Sequence, residues 1–92
     1  MLMGAAKPLH IEFVHDNTRL KVLDFPAGRA RAYGECMAFA REAIRACWAK
    51  DSDGVMHLKH TGESPHYNLV RVLAANGREI CSWSVVDEQR HG

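Results

Sequence analysis

Residues 67–86 read Tyr-Asn-Leu-Val-Arg-Val-Leu-Ala-Ala-Asn-Gly-Arg-Glu-Ile-Cys-Ser-Trp-Ser-Val-Val. Asn76-Gly77 stands between two apolar runs, the signature of a type I′ hairpin turn. Pairing Ala75 with Arg78 sets the register outward from it. Val72 then faces Cys81, Val70 faces Trp83 and Asn68 faces Val85. Apart from Asn68, these residues make one apolar face. On the other face Leu73 meets Ile80, Arg71 meets Ser82, Leu69 meets Ser84 and Tyr67 meets Val86. That second face is mixed, neither clean core nor clean surface.

A second hairpin is predicted upstream. Residues 9–15 alternate, with Leu9, Ile11 and Phe13 on one face and His10, Glu12 and Val14 on the other. A two-residue turn at Asp16-Asn17 pairs His15 with Thr18, Phe13 with Leu20, Glu12 with Lys21 and Ile11 with Val22. Apolar residues meet apolar ones and opposite charges meet each other. A slip of one residue loses both matches.

Between the hairpins, residues 30–50 are rich in helix formers. Tyr33, Met37, Ala40, Ile44, Cys47 and Trp48, joined by Cys36 and Ala43, share one helical face. Gly34 is costly mid-helix, so regular helix is expected to begin near it. Asp51-Ser-Asp-Gly54 stops the helix, and residues 55–59 read as a short strand.

The predicted order is β-β-α-β-β-β: an α+β fold with a five-stranded, mainly antiparallel sheet and one long helix on one face. That helix is expected to cover Ile11, Phe13, Leu20, Val22, Val70, Val72, Cys81, Trp83 and Val85. With 92 residues, 47% hydrophobic and 25% charged, the chain reads as one domain with flexible ends at 1–8 and 88–92. Twelve basic residues against eleven acidic ones leave a net charge of +1, which gives no support for broad phosphate binding. No run reaches the ~18 apolar residues of a membrane helix, and residues 1–8 lack the apolar stretch of a secretory signal. Three cysteines without CxxC spacing argue against a disulfide framework and a thiolate zinc site, and reduced thiols fit a cytoplasmic protein.

Sites of chemistry are sparse. His57, His60 and His66 are spaced H-x2-H-x5-H, but on a strand His57 and His60 point to opposite faces, so no metal site is expected. Cys36 near a helix N-terminus has the placement of a nucleophile, yet it lies on the apolar stripe with Cys47. Asp51-Ser-Asp53-Gly imitates the start of a calcium loop, but its twelfth position is Gly62 rather than Glu. Neither catalytic residues nor a cofactor are predicted.

The expected function is that of a small non-enzymatic binding or accessory protein, a homodimer that also recognises a protein partner. Its expected interface is the sheet face away from the helix, with Leu69, Arg71, Leu73, Ile80, Val86 and Tyr67, and with Phe39 at the helix flank. A second reading is nucleic-acid binding through Arg29, Arg31, Arg41 and Arg45, with Arg71 on the sheet. A third is a small-molecule pocket between helix and sheet, lined by Tyr33, Met37, Trp48 and Trp83.

Overall fold

The computed structural model describes residues 8–25, 32–59 and 66–91. Strands β1 (His10–His15) and β2 (Thr18–Asp24) form the first hairpin. Asp16 and Asn17 both take positive φ, 47° and 69°, as a two-residue type I′ turn requires. His15 pairs with Thr18 as predicted, and Val14 with Arg19. The register then shifts between Phe13 and Val14, so that Phe13 faces Lys21, Glu12 faces Val22 and Ile11 faces Leu23. Leu20 is the extra residue of this β-bulge, and every later side chain of β2 changes face. Leu20 and Val22, expected beneath the helix, are therefore exposed at 38% and 41%. Lys21 takes the helix-side position, its Nζ 5.0 Å from the Phe13 ring centroid.

Helix α1 (Tyr33–Cys47) begins beside Gly34, as expected, and buries Cys36, Ala40, Ile44 and Cys47. These fall at spacings of four, four and three, one stripe of an α-helix. The chain continues straight into β3 (Trp48–Lys50), which pairs antiparallel with β4 (Met56–Leu58). This corrects the five-stranded sheet. The segment around β4 is not a member of the main sheet, because the Asp51-Ser-Asp-Gly54 turn folds it back onto the residues that leave α1. Asp51 donates its N–H to the Val55 carbonyl at 2.9 Å, and Gly54 takes a φ of 82°. Lys59 then donates to the Cys47 carbonyl at 2.9 Å.

Strands β5 (Leu69–Leu73) and β6 (Glu79–Ser84) complete a four-stranded antiparallel sheet of order β2-β1-β5-β6. Val72 faces Cys81, Val70 faces Trp83, Arg71 faces Ser82 and Leu69 faces Ser84, as predicted. The tip differs. Gly77 alone has positive φ there, 88°. Gly77 donates to the Ala74 carbonyl and Ala74 to the Arg78 carbonyl, at 2.9 and 2.8 Å. The loop is thus three residues, a type I turn closed by a left-handed glycine, and not type I′. A second shift sets Leu73 opposite Glu79, leaving Ile80 as the extra residue.

A short second helix, α2 (Val85–His91), follows β6 directly. Its start is a capping box. The Ser84 hydroxyl accepts the Asp87 N–H at 3.1 Å, and the Asp87 carboxylate accepts the Ser84 N–H at 2.9 Å. Residues 88–91, expected as a flexible tail, are therefore helical, and Glu88 is buried. Val85, expected on a strand, begins this helix but still donates to the Asn68 carbonyl at 3.0 Å.

α1 lies over β5 and β6. The core beneath it holds Ile11, Phe13, Val70, Val72, Cys81 and Trp83. Over β1, aromatic rings fill the gap that a single helix leaves. Phe25 stacks on Phe39 at 5.3 Å, and Tyr67 on Phe13 at 4.8 Å between centroids.

Because a side chain at Gly77 must adopt the left-handed region, Gly77→Val should destabilise the fold by about 1–3 kcal/mol. The shift of the chemical denaturation midpoint measures it.

Candidate functional site

The face of the sheet turned away from α1 carries Glu12 at its centre. The register places Arg71 directly opposite it on β5. The turn at Asp16-Asn17 places Arg19 opposite Val14, two residues along β1 from Glu12 and on the same face. Arg19 Nε lies 2.6 Å from Glu12 Oε2, and Arg71 Nε lies 3.3 Å from Glu12 Oε1. Glu12 is only 4% exposed. A carboxylate withdrawn from water so far needs cationic partners, and it has one on each neighbouring strand. Glu79 stands 3.9 Å from Arg71 Nε, beyond hydrogen-bond reach. At the other end of β1, His10 contacts Asp24 at 3.3 Å.

Two hollows adjoin this cluster. One, of about 210 Å³, is lined by Glu12, Val14, Asn17, Arg19 and Arg71. The other, of about 430 Å³, lies at the end of the sheet where β1 leaves, β5 enters and α2 begins. Trp48, Leu69, Val85 and Val86 form its apolar wall, and Val14 and Asn17 line both hollows. Asp16 and Asn68 bind each other at its rim: Asn68 Nδ2 donates to Asp16 Oδ1 at 2.8 Å.

The residues expected to form an apolar interface are dispersed. Leu69, Arg71 and Leu73 share the far face and are half-buried, but Arg71, engaged with Glu12, separates the two leucines. Tyr67 faces α1 instead, its hydroxyl donating to the Ala43 carbonyl at 2.9 Å. The bulge turns Ile80 against the helix-side core, and Phe39 packs there too. Val86 is exposed, on α2 rather than on the sheet.

Of the arginines expected to meet nucleic acid, Arg29 and Arg31 lie outside the described residues, as does His60. Arg41 stacks over the Trp83 ring, its Cζ 4.8 Å from the centroid, and Arg45 Nε donates to Glu88 Oε2 at 2.8 Å. Both tie α1 to β6 and α2. The four residues expected to line a helix–sheet pocket have different surroundings. Tyr33 is 60% exposed at the start of α1, whereas Trp48 follows its last residue. Trp83 is buried, with Nε1 donating to Glu88 Oε1 at 2.9 Å. Met37 packs against the core. Of the two hollows described, Trp48 lines the one at the end of the sheet.

Among the described residues, no three His, Cys, Asp or Glu side chains converge as a metal site. The oxygens of Asp51 are already used. Oδ1 accepts the N–H groups of Asp53 and Val55, each at 2.9 Å, and Oδ2 lies 2.7 Å from His57 Nε2. The Val55 N–H, followed by His57, holds this carboxyl below the ordinary aspartate range. Cys36, Cys47 and Cys81 are buried. Burial, with Cys36 and Glu79 adding to it, pushes the Cys81 thiol up to about 11.

Sequence reasoning missed Glu12, Arg19 and Glu88. Glu12 carried a visible sign, a lone carboxylate inside the apolar run 9–14. Glu88 carried another, Ser84-x-x-Asp87, which starts the helix that buries it.

Two outcomes follow. Alkylation of the folded protein at neutral pH should be slow at all three thiols, read by mass, because all three are buried away from the reagent. Burial works to raise the Glu88 pKa, but hydrogen bonds from Arg45 and Trp83 prevail and hold it below the ordinary value. Its contribution is therefore complete above the unfolded pKa, about 4.3, and lost as pH falls through the lower native value. Glu88→Gln should cost about 1–3 kcal/mol at neutral pH, and its stability gap from the parent, measured by urea denaturation, should narrow below about pH 4.3.

No helix among the described residues is long and apolar enough to cross a membrane. The chain matches no known protein-family description, no curated protein and no solved structure.

Proposed function

We propose that this chain is a small non-enzymatic, cytoplasmic binding module that acts through protein–protein contact, as a homodimer joined along β2. The observation that carries this reading is the condition of β2. It is the outer strand of the sheet, and all seven of its residues are exposed. Leu20, Val22 and Leu23 present apolar side chains along it, exposed at 38%, 41% and 47%. An outer strand offers a row of unpaired N–H and C=O groups to any extended chain. The charge that protects many edges is drawn aside here, because Lys21 folds over Phe13 on the helix side.

A second copy suits this edge better than an open series of copies. The opposite edge, β6, is broken by the bulge at Ile80 and ends in α2. Two β2 strands meeting antiparallel about a two-fold axis close the assembly, since each chain spends its β2 edge in the pairing. The face-to-face dimer expected from Leu69, Leu73, Ile80 and Val86 has less support, because the Glu12 ion cluster occupies the middle of that face. Nucleic-acid binding by α1 loses support as well, with Arg45 tied to Glu88.

Light scattering at high micromolar concentration should show a dimer. Leu20→Glu with Leu23→Glu should dissociate it while leaving the melting temperature of the dilute protein unchanged, and Leu73→Glu should leave it paired. A monomeric parent chain, or a dimer indifferent to the β2 variants, would overturn the proposal.

A further inference from the structure

We propose that the hollow on the far face of the sheet and the one at the end of the sheet together bind a carboxylate carried on an apolar body, of the size of a medium-chain fatty acid. The hollows adjoin, since Val14 and Asn17 line both. One end is apolar and the other cationic, and this polarity defines the ligand.

The apolar end is set by what its polar atoms already do. Trp48 Nε1 donates to the Tyr67 carbonyl at 2.7 Å. Asp16 and Asn68 satisfy each other, and the Ser84 hydroxyl lies 3.0 Å from Asp87 Oδ2. The surface left for a ligand is the Trp48 ring with Leu69, Val85 and Val86. A volume of about 430 Å³ lies within the range of small-molecule sites.

The cationic end is set by what its arginines lack. The hydrogen bond of Arg19 goes from Nε to Glu12. Arg71 Nε approaches Glu12 as an ion pair but makes no hydrogen bond. Among the described residues, the terminal nitrogens of both guanidiniums have no acceptor. A guanidinium presents its N–H groups in a planar fork that matches a carboxylate. Glu12 engages both arginines at once, which fixes them before any ligand arrives and lowers the ordering cost of binding. In the lining of the smaller hollow, two arginines and one glutamate leave a single positive charge, and the Asp16 carboxylate at the rim of the larger one is bound by Asn68 and contacts His15. Glu79, half-exposed and 3.9 Å away, is screened by solvent. That charge matches a monoanion such as a carboxylate.

The probes are octanoate and 1-octanol, titrated into the full chain at physiological salt. The readout is the pair of indole N–H resonances. Trp48 lines the larger hollow, and Trp83 is the internal reference, buried against Glu88. Octanoate should move Trp48 with saturation and leave Trp83 in place, and 1-octanol should bind at least about tenfold more weakly. Arg19→Gln should weaken octanoate by about tenfold with little effect on 1-octanol. Because Arg19 also neutralises the buried Glu12, the melting temperature of this variant is checked alongside. Arg71→Gln, with its melting temperature checked, should do the same. Equal binding of acid and alcohol, no saturating shift at Trp48, or an Arg19→Gln variant that binds octanoate like the parent would each overturn the proposal. Light scattering on the same samples reports pairing along β2 separately, so the failure of one reading is distinguishable from failure of the other.

Discussion

Glu12 lies on β1, the strand with a neighbour on each side, and takes one arginine from each neighbour. The alignment of the sheet depends on that arrangement. A one-residue slip of β1 against either partner would move the carboxylate to the helix side, among Val70, Val72 and Cys81. An unpaired ion there would cost far more than a slipped apolar contact. The net energy of such a cluster is modest once desolvation is counted, so its main effect is on specificity. It excludes alternative registers, and it keeps the centre of the far face polar.

The bulge at Leu20 lies next to that arrangement. A regular hairpin would match Phe13 with Leu20 and Glu12 with Lys21, which is how alternation alone reads the segment. The observed register gives up the apolar match. It takes Lys21 from Glu12 and lays it on the Phe13 ring, while Arg19, paired on the turn side of the bulge, stays 2.6 Å from Glu12. The loss is that Leu20, Val22 and Leu23 remain open along an outer strand. The open edge is thus the result of one inserted residue, whereas the centre follows from the turn and from the pairing with β5.

Elements determined by neighbours in sequence were legible: the turn at Asp16-Asn17, the α1 stripe of Cys36, Ala40 and Ile44, and the pairs Val72–Cys81 and Val70–Trp83. Elements determined by distant partners were not. Arg71 meets Glu12 only because β5 lies beside β1, and no local pattern announces that pairing. The 55–59 strand was sensed, but its membership in a sheet depends on how the Asp51–Gly54 turn aims it. α2 was marked by Ser84-x-x-Asp87 but hidden by the apolar run that precedes it. The larger hollow was harder still, since Trp48, Leu69 and Val86 come from three separate elements.

The sheet order has a kinetic meaning. Each of the two hairpins of the main sheet, β1–β2 and β5–β6, closes through a short turn and can form quickly on its own. The seam between them, β1 against β5, joins residues from early and late in the sequence, with α1 and the β3–β4 hairpin in between. Closing that long loop carries the main entropic barrier to folding. Until it closes, β1 and β5 each expose a bare flank lined with valine, isoleucine and phenylalanine. The interval before this seam forms is when the chain is most open to aggregation, and the speed of α1 in bridging the two hairpins determines how long that interval lasts.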